Sequence, residues 1–338
     1  MNLLDKYDRT IDYMRISVTD RCNLGCLYCK TENTVISEPK ERCWLRSKTP
    51  QGINREVLSY DEIYRIVMAA AVLGVKKIRI TGGEPLVRRD VYKLIKMLRS
   101  IETITDISMT TNGILLEKNI EKLADAGLDR VNISMDSLIP SIYKEITRGG
   151  DIDTVIRGVE AAEKFGLQPI KINMVPIKGL NDCEIEDFVR LAIEKAYQVR
   201  FIELMPYGKN QTWNRERFIS AGEIQARIEK MAVLTPVRFK SPGVARYYRI
   251  NGSDAVVGFI SPVSNHFCAT CNRLRLTSKG MIKPCLFSDK EIDIATIVRK
   301  GAGVEDIVEI LLKAVGEKSI GHNGVLETVT ASMSEIGG

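Results

Sequence analysis

Between residues 12 and 205, apolar runs of strand length alternate with longer segments of helical period. The predicted strands are Asp12–Val18, Lys76–Thr81, Ile104–Thr110, Arg130–Met135, Pro169–Pro176 and Val199–Met205. Between them, helical periodicity covers Tyr60–Leu73, Val91–Ile101, Leu116–Ala126, Asp153–Phe165 and Cys183–Ala196. Ser59 followed by Glu62 reads as a capping box, and Gly74, Gly127 and Gly166 sit where helices should stop. Strands that alternate with helices imply a parallel sheet with right-handed crossovers, as a partial barrel or a doubly wound sheet. A chain of 338 residues has room for more than this unit. From about Met231 the pattern changes to short β-branched and aromatic runs: Val233–Phe239, Ala245–Asn251, Ala255–Ile260, Arg273–Thr277 and Gly280–Cys285. A helical stretch, Val304–Ala314, follows. A boundary is therefore expected near residue 230, with a core over 1–230 and a smaller mixed α+β segment over 231–338. Thr31–Val57 reads as a long loop.

No stretch approaches the ~18 apolar residues of a membrane helix, and the N-terminal MNLLDKYDRTIDYMR carries charges where a signal peptide is apolar. A cytoplasmic location is expected, so the eight cysteines need an explanation other than disulfides. Only two histidines are present, which disfavours a His-rich zinc site or catalytic triad. The net charge of +6 is spread evenly along the chain. It suits an anionic ligand but equally an ordinary, slightly basic surface.

Cys22, Cys26 and Cys29 follow the first strand with the spacing C-x3-C-x2-C. Thiolates are soft ligands for zinc or iron–sulfur clusters, and three of them leave a fourth coordination position open. An open position marks a catalytic rather than a structural metal. A zinc knuckle completed from elsewhere is the alternative. After the second strand comes Thr81-Gly82-Gly83-Glu84-Pro85, whose glycines permit close backbone approach.

With Tyr28 before the third cysteine, the first motif resembles the radical S-adenosylmethionine (SAM) enzymes, and GGEP resembles the superfamily element that meets the SAM amino group. The resemblance implies a partial (βα)6 TIM-type barrel and a [4Fe–4S] cluster whose open iron chelates SAM. Reductive cleavage then yields methionine and a 5′-deoxyadenosyl radical. Tyr28, Gly83, Ser134 and Met205 match SAM-contacting positions. These residues fall at C-terminal strand ends, where α/β barrels place their chemistry.

Arg15, Arg79 and Lys171 are each flanked by apolar residues inside a strand. In a parallel sheet covered on both faces, such charges are expected to point into the barrel and to need partners. The strand-internal acids are few, chiefly Asp12, Asp106 and Glu203. A polyanionic substrate such as a phosphate ester is therefore favoured over charges that reach solvent at the barrel bottom.

Cys268, Cys271 and Cys285 form a second set, C-x2-C-x13-C, and on spacing alone His266 can complete a zinc site there. Arg273 and Arg275 alternate after Cys271 and so share one strand face. They read as anion binders beside a cluster or as charges on a hairpin edge. These features, with KINMV, RFIELMP and the terminal Gly337-Gly338, resemble the GTP 3′,8-cyclase family of molybdenum cofactor biosynthesis. That resemblance implies a second [4Fe–4S] cluster that binds the guanine of GTP. It also implies that Arg15, Arg79, Thr110, Lys171, Arg273, Leu274 and Arg275 hold the substrate or assist the chemistry. Arg15, Arg273, Arg275, Gly337 and Gly338 stand as the catalytic set, the two glycines reaching into the site. Implied partners are GTP, a reductant protein and the next molybdopterin-pathway enzyme, with a homodimer allowed and neither nucleic acid nor membrane involved.

Lys30-Thr31 follows Cys29 where that family usually has Met-Pro. Cys43 reads as a loop thiol and Cys183 as a packing residue; His266 and His322 carry no assigned role. A peptide-maturation enzyme of the same superfamily and a non-catalytic zinc or electron-transfer protein are the alternatives. The buried basic residues and the double-glycine tail argue against the first, and GGEP against the second.

Overall fold

The structure is a computed structural model, and it describes residues 3–29, 57–206, 214–239, 243–321 and 333–336. Six strands run parallel in chain order: β1 (Tyr13–Ser17), β2 (Lys77–Thr81), β3 (Asp106–Thr111), β4 (Arg130–Ser134), β5 (Lys171–Met174) and β6 (Gln198–Ile202). The helices between them are α1 (Tyr60–Val72), α2 (Val91–Arg99), α3 (Leu116–Asp125), α4 (Pro140–Thr147), α5 (Ile152–Lys164) and α6 (Ile185–Lys195). After α7 (Ala221–Ile228) come β7 (Leu234–Val237), β8 (Arg246–Ile250) and β9 (Val256–Ile260). They are followed by β10 (Arg273–Leu276), β11 (Met281–Lys283), β12 (Ile292–Asp293), α8 (Ala295–Arg299), α9 (Val304–Gly316) and α10 (Met333–Ile336).

The strands after residue 230 extend the same sheet. Its order is β12-β11-β10-β1-β2-β3-β4-β5-β6-β9-β8-β7. Strand β9 lies parallel to β6, and β10 lies parallel to β1, so the C-terminal segment supplies both edges of the partial barrel.

Local chemistry fixes the elements. Ser59 and Glu62 exchange both capping hydrogen bonds at the start of α1. Gly74, Gly127 and Gly166 end their helices with φ of 98°, 90° and 72°, a region costly for any residue with a Cβ. Helix α7 escaped the sequence reading although Ser220 and Glu223 form the same capping box. Cys183 corrects an expectation. It lies exposed in a short 3-10 turn, because the α-helix begins only at Ile185, so it does not pack in the core.

Alternation along each strand divides the sheet into two faces. Met14, Ile16, Ile78, Ile80, Ile107, Met109, Val131, Ile133, Ile172 and Met174 are buried in one core cluster with apolar residues of the helices. The intervening residues line the other face: Arg15, Arg79, Ser108, Thr110, Asn132, Lys171, Asn173 and Arg200. The barrel interior is therefore polar.

Candidate active site

The first thiol loop is built by two backbones pressed together. After β1, Thr19 O accepts from Gly83 N at 2.7 Å and Arg21 O accepts from Glu84 N at 2.8 Å. A Cβ on Gly83 would stand 2.3 Å from Arg21 O, and one on Gly82 would stand 2.7 Å from Thr19 O. The paired glycines are thus required for GGEP to close on the cysteine loop. The far side of the loop is held by the end of α4, where Thr147 O and Ile146 O accept from Gly25 N and Leu27 N. Glu84 is buried and accepts from Leu86 N, Thr111 Oγ1 and Asn112 N; burial pushes its carboxyl up to about 7 despite those donors.

Cys22, Cys26 and Cys29 are half-buried and in no disulfide. Burial pushes the Cys26 thiol well up, and Cys29, Asp136 and Cys22 push it further. The three thiols of this loop are soft donors of the kind that iron–sulfur clusters take. Tyr28 Oη donates to Asp136 Oδ2 at 2.6 Å, and burial raises that carboxyl to about 6. Among the described residues, no group of three His, Cys, Asp or Glu side chains closes on one metal-ion position. A cluster takes each thiolate on a separate iron, so soft donors on one turn fit it better than a single ion. Ser134 ends β4 as expected, whereas Met205 lies three residues beyond the end of β6. Just past the strand, the Glu203 carboxylate accepts from Ala221 N, Val263 N and Ser264 N.

The second thiol set gathers at the opposite end of the same strands. Cys268 and Cys271 precede β10, which is parallel to β1, while Cys22 follows β1. Cys285 follows β11, which returns antiparallel beside β10. One cavity is lined by all three cysteines with Arg9, His266, Arg273, Arg275 and Lys318. Burial pushes the Cys271 thiol up, but Arg273 and Lys318 outweigh it and bring the group down to about 7. The Arg273 guanidinium lies over the Phe267 ring at 5.0 Å. Soft donors that cations hold toward the thiolate form fit a second cluster.

Basic residues span the interior between these two ends. Arg15 pairs in register with Arg275 on one side and with Arg79 on the other. Burial, then Arg275 and Arg79, hold the Arg15 guanidinium well below its usual range. Arg79 Nε donates to Ser108 Oγ at 3.2 Å, and the group lies over the Tyr13 ring. Burial, with Arg200, Arg130 and Arg79, pulls Lys171 down to about 7. The strand acids are committed elsewhere. Asp12 pairs with Lys77 at 3.0 Å, Asp106 pairs with Arg130, and Glu203 caps backbone amides. Leu274 turns its side chain to the apolar core, with no exposed surface, so only its backbone faces the interior. Thr110 Oγ1 points into the interior without a hydrogen-bond partner among the described residues.

Sequence reasoning missed Arg200, which is buried and donates to Asn132 Oδ1 at 2.6 Å. Its setting between Val199 and Phe201 carries the same signal as Arg15. Lys30, Cys43, His322, Gly337 and Gly338 lie outside the described residues. His266 lines the second cavity. No helix among the described residues is long and apolar enough to cross a membrane.

Comparison with known proteins agrees with this geometry. The Radical SAM superfamily profile matches residues 16–192, and the Molybdenum Cofactor Synthesis C profile matches residues 197–324. A GTP 3′,8-cyclase of Thermodesulfovibrio yellowstonii is 47% identical over 335 residues, covering 99% of each chain. One from Alkaliphilus oremlandii is 46% identical over 337 residues, again covering 99% of each. Among solved structures, Streptococcus suis SuiB bound to its precursor peptide SuiA superposes with a TM-score of 0.61 at 15% identity. It covers 93% of this chain and 67% of that one, a likeness of fold alone. The radical SAM motif, the second cysteine set and these full-length matches agree: the chain belongs to the radical SAM superfamily and, within it, to the GTP 3′,8-cyclase family.

Proposed function

We propose that this chain converts GTP to (8S)-3′,8-cyclo-7,8-dihydroguanosine 5′-triphosphate, the first step of molybdenum cofactor biosynthesis. The observation that carries the reading is the register Arg275–Arg15–Arg79, a row of guanidiniums on the interior face between two thiol sets at opposite ends of β1 and β10. Such a row suits a triphosphate, since guanidinium matches phosphate geometry with paired donors.

Cys22, Cys26 and Cys29 would hold a [4Fe–4S] cluster with an open iron, which supplies, when bound, the electron that cleaves SAM. Tyr28, Gly83, Ser134 and Met205 would frame the SAM site. Gly83 acts first through the loop contact described above. Cys268, Cys271 and Cys285 would hold a second [4Fe–4S] cluster whose open iron takes the guanine. Arg15, Arg79, Thr110, Lys171, Arg273 and Arg275 would then orient the nucleotide, ribose C3′ facing the SAM end and guanine facing the second cluster. Arg200 joins them from β6. Transfer of the ribose 3′-hydrogen to the 5′-deoxyadenosyl radical would leave a C3′ radical that adds to guanine C8 and opens the C8=N7 double bond. One electron from the reductant and one proton at N7 would complete the 7,8-dihydro product while the interior cations hold the triphosphate still.

The tail fits the same reading. Ile336 is buried against Met205, Leu286 and Phe287, which brings the segment before Gly337 and Gly338 to residues flanking both sites. In this account residues 1–230 run the radical chemistry and residues 231–338 hold the substrate. A reductant protein supplies the electron, and the next pathway enzyme takes the product in the cytoplasm. Anaerobic incubation of cluster-loaded protein with reductant, SAM and GTP tests the proposal. The cyclised triphosphate and 5′-deoxyadenosine are expected together. SAM cleavage without a change in GTP would refute it.

A further inference from the structure

Lys318 lies just beyond α9 with only 2% of its surface exposed. Its Nζ donates to Arg273 O and to Pro284 O, each at 2.8 Å, and stands 3.9 Å from Cys271 Sγ. Those carbonyls sit two residues after Cys271 and one before Cys285, so a single ammonium joins the two segments that carry these thiols. The third segment is held by another cation. Arg9 donates to Cys268 O at 2.6 Å and to Ser319 O at 2.7 Å, which ties Cys268 to the chain beside Lys318.

The two cations differ in how their charge is answered. The Arg9 guanidinium pairs with buried Asp5 at 2.6 Å. Lys318 forms no ion pair with a carboxylate among the described residues, and its carbonyl partners Arg273 O and Pro284 O are neutral. A buried ammonium is costly unless an anion stands near it. The groups of opposite sign that act on it are Cys271 and Cys285, and Arg9 and Arg273 are the cations nearby.

We propose that Lys318 is the counter-cation of the second thiol site, a positioning residue that clamps two ligand segments and raises the reduction potential of the cluster they hold. The inference rests on the reading of Cys268, Cys271 and Cys285 as ligands of a second [4Fe–4S] cluster. Reduction adds negative charge to a thiolate-ligated cluster, so a fixed ammonium at hydrogen-bond range favours the reduced form. Arg9, already neutralised by Asp5, contributes mainly the mechanical tie.

The test compares wild-type, Lys318→Met and Lys318→Arg chains, each loaded anaerobically with iron and sulfide. Iron content and the EPR-monitored redox titration of each cluster are read, and the Cys22–Cys26–Cys29 cluster serves as the reference within each molecule. In Lys318→Met the second cluster is expected to need a tenfold higher ratio of driving reductant, about 59 mV lower for a one-electron couple. The first cluster should not move, and Lys318→Arg should restore the wild-type value. Loss of the second cluster from Lys318→Met alone, with Lys318→Arg retaining it, also upholds the clamp. A fully loaded Lys318→Met chain with an unchanged second potential overturns the proposal, as does loss of the cluster from both variants. A wild-type chain that binds a single cluster overturns the two-cluster reading itself, a result distinguishable from the others by iron content.

Discussion

Arg15 of β1 and Arg275 of β10 stand directly opposite each other in parallel register, two guanidiniums brought together from distant parts of the chain. Neighbouring like charges in a desolvated interior repel each other, and a bound anion between them offsets that repulsion. Arg15→Met should weaken GTP binding by tenfold to a hundredfold, from the loss of a charge-assisted bond of about 1.5–3 kcal/mol. Calorimetric titration and thermal unfolding check this together; a drop of several degrees with unchanged affinity would assign Arg15 to structure.

The Lys171 ammonium titrates near neutrality, held at about 7 by burial and by Arg200, Arg130 and Arg79. A lysine with a depressed folded-state value costs the empty protein stability as pH falls from the usual lysine range to about 7, where the unfolded chain takes the proton first. A triphosphate prefers the protonated form. GTP affinity should therefore fall as pH rises above about 7, with proton uptake on binding. Lys171→Met should flatten that dependence while binding more weakly throughout. Affinity measured between pH 6 and 9 decides it, and equal slopes in the two proteins would contradict the assignment.

Gly83→Ala places a methyl group 2.3 Å from Arg21 O, a backbone atom that cannot swing aside. The displaced loop leads directly to Cys22. Loss of the first cluster is expected, with iron falling from about eight to about four per chain if each site takes a four-iron cluster. SAM cleavage should disappear while the second cluster's spectrum persists. Full iron loading and normal cleavage would show that the loop tolerates the shift.

Much of the fold was legible because its signals are local. The capping box Ser59–Glu62, the glycine stops and the alternation around Arg15, Arg79 and Lys171 all lie within a few residues of what they determine. The C-terminal segment was harder. Period two puts Arg273 and Arg275 on one face, but nothing local says that their strand pairs with β1 rather than forming a hairpin apart. The placement of the second thiol set at the far end of the barrel depends on that pairing. Other omissions had signals that went unused: Arg200 sits between apolar neighbours, and Pro140 marks the first turn of α4. Glu203 read as a counter-charge for the buried cations, yet its burial serves backbone amides from two other segments, a role that only tertiary structure reveals.

That role gives a further test. Glu203 holds β6, the start of α7 and the loop after β9 together through three amides and the Ser264 hydroxyl. Glu203→Gln replaces an acceptor with a donor and should cost on the order of 1–3 kcal/mol of stability. Urea unfolding of the metal-free protein should show it, with the thiol sites still able to load. An unchanged midpoint would mean that the loop after β9 is held by other contacts.

The two thiol sets lie at the two ends of one basic interior. The most direct measurement uses GTP deuterated at C3′, with SAM and reductant, in wild-type, Cys22→Ala and Cys271→Ala proteins. Mass analysis should find deuterium in the 5′-deoxyadenosine of the wild type, formed with the cyclised triphosphate, and no 5′-deoxyadenosine from Cys22→Ala. Cys271→Ala should still cleave SAM but yield no cyclised product. Deuterium-free 5′-deoxyadenosine from the wild type, or full cyclisation by Cys271→Ala, would contradict the account.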